Sequence, residues 1–194
     1  MARSLPAPSS SPDHPGPGRP RAFDLDTAVD AGVAVLRTRG YEATSLDDLT
    51  RAMGISRSSF YAAFGSKRGV LLTALDRYSR QRLQVLAELA AGPEPLVAIL
   101  GALAGVEGDG RGCLLVNCLA ELGAGDAEVA ARAAAHMDRI EGIIREAAPE
   151  AGAAGARALL ATAVGAQTLR KSGAAPAAVD DMLHLAATRL ARPG

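Results

Sequence analysis

The stretch TSLDDLTRAMGISRSSFYAAFGSK, residues Thr44–Lys67, determines how the rest of the chain is interpreted. Its pattern predicts two short helices joined by a tight turn. Ser45 is a suitable N-cap for the first helix, and two aspartates follow in the first turn, where the helix dipole favours negative charge. Gly54 supplies the left-handed residue that a sharp turn needs, and Ser56 caps the second helix. The stretch therefore predicts a helix-turn-helix unit.

The second of these helices has an inner and an outer face. Phe60 and Phe64 are four residues apart, so they share one face and are predicted to point inward. The outer faces carry cationic, hydroxylated or small side chains, and no carboxylate occurs between Ile55 and Lys67. A helix that enters the DNA major groove needs such a surface, because short side chains permit close approach and donors reach phosphates and base edges. The alternative is a surface helix that merely lacks acids.

The longer segment GYEATSLDDLTRAMGISRSSFYAAFGSK, residues 40–67, resembles the N-terminal DNA-binding domain of TetR-type transcriptional regulators. The resemblance extends over roughly residues 19–78. It implies an all-α fold of about nine helices, with a three-helix DNA-binding domain before a helical ligand-binding and dimerisation domain. It also implies a homodimeric, ligand-responsive regulator, most simply a repressor, that binds a palindromic operator in double-stranded DNA. The later part of the chain resembles the family only in being helical and of suitable length.

Composition divides the chain into three parts. Residues 1–18 contain five prolines together with serine and glycine, which predicts a disordered tail. Residues 19–66 form the predicted DNA-binding domain, and residues 67–194 form the predicted ligand-binding and dimerisation domain. A long helix from Ser66 to about Ala91 is predicted to link the two domains. Further helices are predicted over residues 24–39, 93–103, 113–122, 126–148, 153–171 and 176–191, with a glycine-rich loop at 105–112.

The overall composition favours helices and a reducing compartment. Of the 194 residues, 48% are hydrophobic but only 3% are aromatic, so the predicted core is aliphatic and rich in alanine. The net charge is zero, yet residues 1–82 carry +4 and residues 83–194 carry −4, which suits a first domain that meets a polyanion. No apolar run approaches the roughly 18 residues of a membrane helix, and no secretory signal is apparent. Two cysteines make no disulfide framework, so we expect a cytoplasmic protein.

Nine residues are candidate DNA contacts. By the resemblance, Lys67 and Tyr61 bind phosphates, as does the residue that matches Thr44. Arg19 and Arg21 precede the first helix, and they either enter the minor groove or form a basic linker without fixed contacts. The remaining candidates lie at the starts of the two short helices, where they meet phosphates or base edges: Ser45, Arg57, Ser58 and Ser59.

The candidate ligand contacts of the second domain are Tyr78, Cys113, Asn117 and His136. Cys113 follows a glycine and opens a helix, beside free backbone amides, so an alternative redox- or electrophile-sensing regulator would depend on its thiol. The other interpretation of Cys113 is a small buried hydrophobe. His136 is either a cavity residue or a hydrogen-bonded core histidine.

The last two predicted helices are rich in alanine. The resemblance implies that they form a four-helix interface with their copies in a partner chain. The predicted interface residues are Leu159, Ala166, Met182, Leu183 and Leu190. The alternative is that these residues are buried within a single chain.

The sequence offers no constellation for catalysis. It contains no glycine-rich phosphate loop, no His/Cys/Asp cluster at metal-ligand spacing and no nucleophile with a plausible base. We therefore predict that the protein is not an enzyme and that it has no catalytic residues, no metal and no cofactor. The competing class is a small-molecule-binding or enzymatic helical protein with an incidental helix-turn-helix. A third class is an interaction protein that dimerises without affinity for DNA.

Overall fold

A computed structural model of the chain describes residues 23–106 and 108–190. This part contains the α-helices α1 (Leu25–Arg39), α2 (Leu46–Met53), α3 (Arg57–Phe64), α4 (Lys67–Ala90), α5 (Pro95–Ala104), α6 (Leu114–Leu122), α7 (Ala127–Ala147), α8 (Gly152–Lys171) and α9 (Pro176–Leu190). A short 3-10 helix, Pro149–Ala151, leads directly into α8 and was not predicted. The described residues include no strand, so the predicted all-α fold is confirmed. The predicted tail lies outside the described residues.

Local sequence signals set the ends of the helices around the turn. Ser45 Oγ accepts the Asp48 backbone N–H at 3.1 Å, and the Asp48 carboxylate accepts the Ser45 N–H at 3.0 Å, which completes a capping box at the start of α2. Gly54 ends α2 with φ 66° and ψ 30°, the left-handed conformation that the turn requires. Ser56 Oγ accepts the Ser59 N–H at 3.1 Å and begins α3. The predicted caps and turn are confirmed.

The buried residues form two clusters that share α4. The first cluster joins α1–α3 and the first half of α4 to α6 and the start of α7; its largest fully buried members are Leu36, Leu49, Phe60, Leu71, Leu75, Leu114 and Leu115. The second joins the rest of α4 to α5, α7, α8 and α9, with Leu86, Ile99, Leu100, Ile140 and Ile144 at its centre. Burying one such side chain contributes about 1.5–3 kcal/mol. The predicted domain boundary after residue 66 stays a prediction, since the first cluster continues across it.

Ion pairs tie α4 to its neighbours. Arg68 in the first turn of α4 binds Asp126, the N-cap of α7, at 3.0 Å and Glu128 at 2.8 Å. Arg77 binds Asp30 of α1 at 2.5 Å. These pairs add to the apolar contacts that hold α4 against α1 and α7. In the described ranges, no helix is both long enough and apolar enough to cross a bilayer.

Candidate nucleic-acid interface

Helix α3 presents one face to the core and the other to solvent. Phe60 is fully buried, and its ring centroid lies 5.7 Å from that of Tyr61 and 5.5 Å from that of Phe64. The outer face is formed by the exposed residues Arg57, Ser58, Tyr61 and Ala62. The inward placement of Phe60 agrees with the predicted division of faces. It leaves an accessible helix surface that carries no carboxylate of its own.

Arg57 is held by an acid on the neighbouring helix. Its Nη2 and Nε donate to Asp47 Oδ1 at 2.7 and 3.1 Å. Both side chains are more than half exposed, at 66% and 56%, so the pair is open to solvent and to a competing phosphate. The hydrogen bonds to Asp47 raise the pKa of Arg57 and orient its guanidinium along the outer surface. Sequence reasoning missed this partner, because a pairing across the turn has no local signature.

The three serines predicted as contacts differ in their availability. Ser56 Oγ, which caps α3, lies 2.9 Å from the Ser58 hydroxyl and 3.0 Å from the Ser59 hydroxyl. Ser59 is half-buried, whereas Ser58 is exposed. Ser45 is also exposed, but its hydroxyl belongs to the capping box of α2. Ser58 is therefore the best placed of the three to meet a base edge or a phosphate.

Lys67 lies at the start of α4, beside the loop that precedes α2. Its Nζ lies 4.3 Å from the centroid of the Tyr41 ring and 3.4 Å from the Glu42 carbonyl oxygen. These contacts hold the ammonium group without neutralising its charge. Tyr61 on α3 is 53% exposed. Both residues therefore stay candidate phosphate contacts.

The structure corrects the role predicted for Thr44. This residue is only 1% exposed, and its hydroxyl donates to the Gly40 carbonyl oxygen at 2.5 Å. Its backbone N–H donates to the Tyr41 carbonyl oxygen at 3.2 Å. Since both donors are used inside the loop between α1 and α2, Thr44 shapes this loop rather than offering a hydroxyl to phosphate. Arg19 and Arg21 lie outside the described residues.

A cavity of about 970 Å³ opens between α4, α5, α8, α9 and the loop after α5. Tyr78 is the one predicted ligand contact among its lining residues, and burial raises the pKa of the Tyr78 phenol well above its usual range. Asn117 is outside the lining, and its side-chain amide donates to the Arg111 carbonyl oxygen at 3.0 Å. The lining also includes Arg82, Gln167 and Arg170, which sequence reasoning missed because they come from helices that are distant along the chain.

Cys113 and His136 line a second, much smaller cavity of about 20 Å³, which has room for about one water molecule. Cys113 is half-buried, and its backbone N–H donates to Gln167 Oε1 at 2.9 Å. His136 is 1% exposed and its Nδ1 lies 2.8 Å from Ser79 Oγ, as expected for a hydrogen-bonded core histidine. Its Nε2 has no hydrogen-bond partner in the described part of the chain. Burial raises the pKa of the Cys118 thiol to about 12.

The predicted dimer interface also needs a correction. Leu159 and Ala166 are 0% exposed and Leu183 is 7% exposed, because all three pack inside the protomer in the second cluster. A partner chain cannot reach these side chains, whereas Met182 and Leu190 are half-buried. The apolar periodicity of α8 and α9 therefore marks their inward face. The exposed outward face carries small residues and leucines: Ala154, Ala161, Gly165, Leu169 and Leu185.

Curated relatives match about half of the chain. Residues 28–74 match the model of a family described as "Bacterial regulatory proteins, tetR family". The chain is 33% identical over 108 residues to the HTH-type transcriptional repressor ComR of Escherichia coli (strain K12), a match that covers 52% of this chain and 51% of that protein. It is 38% identical over 94 residues to the HTH-type transcriptional regulator EthR of Mycobacterium tuberculosis (strain ATCC 25618 / H37Rv), covering 48% and 44%. The chain thus spans about half the length of the curated relatives it matches.

A solved structure extends the similarity to nearly the whole chain. It contains a cysteine mutant of the TetR family transcriptional regulator CifR complexed with a 26-base-pair double-strand operator DNA. The identity is 30% and the TM-score is 0.67, and the match covers 88% of this chain and 99% of that chain. The similarity therefore includes both the helix-turn-helix and the helices that follow it.

Proposed function

The chain belongs to the TetR family of bacterial regulatory proteins, and from this premise we propose that it is a DNA-binding transcriptional repressor controlled by a small molecule. The family consists of DNA-binding regulators rather than enzymes. The observation that carries the proposal is the exposed, carboxylate-free outer face of α3, capped by Ser56 and backed by Phe60. Two relatives are named as repressors, which supports repression and does not favour the redox alternative based on Cys113.

In the proposed complex, α3 lies in the major groove. Arg57 and Ser58 lie at its N-terminal end, where side chains of a recognition helix reach base edges. The ion pair with Asp47 is solvent-exposed and weak, so Arg57 exchanges this partner for a guanine edge or a phosphate on binding. Lys67 and Tyr61 bind phosphates and fix the register of the helix without reading sequence.

The proposed assembly is a homodimer through the outward faces of α8 and α9. Two-fold symmetry places the two α3 helices about 34–36 Å apart, which matches one turn of DNA and a palindromic operator. A protein that acts on chromosomal DNA in this way works in the cytoplasm.

The ligand acts through α4. This helix lines the large cavity with its second half and packs against the helix-turn-helix with its first half. A ligand that binds more tightly when α4 is in one of two orientations favours that orientation and so changes the separation of the two α3 helices. A coupling free energy of about 1–3 kcal/mol between ligand binding and DNA binding is typical of such systems. A carrier, an enzyme or an interaction protein with an incidental helix-turn-helix would not bind an operator, and no ligand would release it from one.

The experiment begins with selection of binding sites from a random duplex library, followed by fluorescence anisotropy titrations at several salt concentrations. We expect an inverted repeat with half-sites one helical turn apart. Lys67→Met should weaken binding to all DNA sequences alike and reduce the magnitude of the slope of log affinity against log salt concentration by about one per protomer. Arg57→Met should weaken binding and relax the preference at one base pair of each half-site.

The matched control is Arg145→Met, which removes an exposed arginine near the end of α7, far along the chain from α3. This variant should bind like the parent protein. Absence of duplex binding even at very low salt would refute the proposed function. Equal and salt-independent losses in the Lys67 and Arg57 variants would refute the assignment of their roles.

A further inference from the structure

The large cavity has a long apolar wall. Helix α4 lines the cavity from Tyr78 to Leu89, a distance of about 16 Å at the rise of an α-helix, and Val85 and Leu89 supply the apolar part of this stretch. The apolar lining residues include Val85, Leu89, Val97, Leu100, Leu183 and Ala187. Val85 and Val97 are 41% and 56% exposed, so this wall leaves apolar surface in contact with water, which is unfavourable. A ligand with an aliphatic chain gains free energy by covering them.

Beside this apolar part, the cavity lining is cationic. Arg82 of α4 donates to the Ala102 carbonyl oxygen, and Arg170 of α8 donates to the Val106 carbonyl oxygen at 3.1 Å. Ala102 lies in the last turn of α5 and Val106 in the loop directly after it, so the two guanidinium groups are anchored to carbonyls four residues apart along the chain.

Each of these guanidinium groups keeps further N–H donors, because arginine has five and these contacts use one. Within residues 23–106 and 108–190, neither Arg82 nor Arg170 forms an ion pair with a carboxylate. Among the described residues, four cationic and two acidic side chains line the cavity. Arg37 and Asp109 form a bidentate pair at 2.8 Å, so three cationic side chains and one acidic side chain of this described lining remain outside that pair.

A buried polar atom lies beyond this cationic part of the lining. Arg82 and Gln167 line both the large cavity and the small one, so these two side chains separate them. His136 borders the small cavity, and its Nε2 is fully buried without a hydrogen-bond partner in the described part of the chain. An unsatisfied nitrogen, which is unusual in a protein interior, therefore borders the small cavity on the far side of Arg82 and Gln167.

We propose that this cavity is the effector site and that it takes an amphiphilic organic carboxylate, with its head group held by Arg82 and Arg170 and its aliphatic chain against α4 and α9. Two arginines with free donors match a carboxylate, which accepts charge-assisted hydrogen bonds from both. A neutral ligand leaves the arginines covered but unpaired, and a cationic ligand is repelled. The regulatory part of this assignment rests on the proposed function, whereas the binding part is measurable without DNA.

Isothermal titration calorimetry on the full chain with decanoate, decan-1-ol and decylamine tests the ligand class. Decanoate should bind at least tenfold more tightly than decan-1-ol, and decylamine should not bind measurably. Arg82→Met and Arg170→Met should each weaken the binding of decanoate at least tenfold and leave the affinity for decan-1-ol unchanged. Arg80→Met, which removes an exposed arginine of the same helix outside the cavity lining, should change neither.

Arg82 also holds the end of α5, so Arg82→Met could lose decanoate binding because it folds poorly. Unchanged binding of decan-1-ol would show that the variant is folded, and Arg170→Met tests the same head-group site independently. Equal affinity for decanoate and decan-1-ol, or an equal loss in Arg80→Met, would overturn the proposal. Decanoate should also release the protein from its selected operator, and selective binding without release would overturn the effector role. Failure of the protein to bind DNA, with selective decanoate binding intact, would refute the proposed function instead.

Discussion

At the scale of single residues, His136 is a histidine whose surroundings favour its neutral form. Burial lowers its pKa to about 4, and the guanidinium groups of Arg139 and Arg82 act in the same direction. No carboxylate in the described ranges contacts it, and Ser79 is its hydrogen-bond partner. A histidine in the unfolded chain titrates near 6.5, so between about pH 6.5 and 4 the unfolded state binds more protons than the folded state. The stability supplied by this neutral histidine is therefore complete above pH 6.5 and is lost as the pH falls towards 4.

We expect the free energy of unfolding to fall by about 2 kcal/mol between pH 7 and pH 5 because of His136 alone, approaching about 3 kcal/mol near pH 4. Urea denaturation at fixed protein concentration measures this difference. His136→Gln, which keeps a neutral partner for Ser79, should remove most of this pH dependence. His184→Gln, at an exposed position of α9, should leave it unchanged. A pH dependence that survives in the first variant would exclude His136 as its source.

At the scale of elements, α6 is tied to the DNA-binding unit at both ends. Immediately before it, the Gly112 carbonyl oxygen accepts from Arg37 Nε and Nη2 at 3.1 and 2.9 Å. At its last turn, the Glu121 carboxylate accepts the backbone N–H groups of Tyr41 and Glu42 at 2.9 and 2.7 Å. These two amides begin the loop in which Tyr41 also contacts Lys67. Helix α6 therefore sets the conformation of the loop between α1 and α2.

Glu121→Gln should loosen this loop, because the amide side chain has one acceptor oxygen for two N–H groups. We expect a loss of about 1–2 kcal/mol in stability and faster hydrogen exchange at the amides of Tyr41 and Glu42. Exchange measured by NMR or mass spectrometry tests this directly. Glu146→Gln, at an exposed position of α7, is the matched control. Unchanged protection of the two amides in Glu121→Gln would show that the carboxylate does not hold the loop.

The elements also show how far the sequence was predictive. The caps Ser45 and Ser56 and the turn at Gly54 were predictable, because each depends on residues within four positions of itself. The cationic part of the cavity lining was not, because Arg82 and Arg170 line one cavity only after α4, α5 and α8 have packed. Periodicity identified buried faces on α8 and α9 but not what covers them. For that reason Leu159, Ala166 and Leu183 were placed at a dimer interface, whereas they fill the core of the protomer.

At the scale of the whole molecule, the large exposed hydrophobic side chains of the described residues fall mainly on three surfaces. Tyr61 lies on the outer face of α3, and Val85, Val97 and Val106 lie at the large cavity. Leu169 and Leu185, which are 45% and 58% exposed, lie on α8 and α9. Exposed apolar groups of this kind are typical of interaction sites when they cluster. Their distribution is consistent with a protein that has three kinds of partner: DNA, a ligand and a second copy.

The last prediction concerns the proposed contact with a second copy of the chain. The outward face of α8 carries Ala161 and Gly165, whose small size lets helices approach closely, and Leu185 is the most exposed of the large hydrophobic side chains in the described residues. Leu185→Glu should convert the proposed dimer to monomer, because the proposed interface would then bury two carboxylates without partners. Sedimentation equilibrium measures the association, and anisotropy compares a full operator with a single half-site. We expect at least a hundredfold loss of affinity for the full operator, since a monomer binds one half-site at a time.

Leu119→Glu is the matched control, because Leu119 is a 40% exposed leucine on α6 that receives the same new charge. This variant should stay dimeric and keep its affinity for the full operator. The half-site affinity should be equal in both variants, since neither substitution touches α3. If Leu119→Glu dissociates the dimer and Leu185→Glu does not, the interface lies on α6 rather than on α8 and α9. In that case the contact between protomers would include the helix that holds the loop before α2, and dimerisation would act directly on the DNA-binding unit.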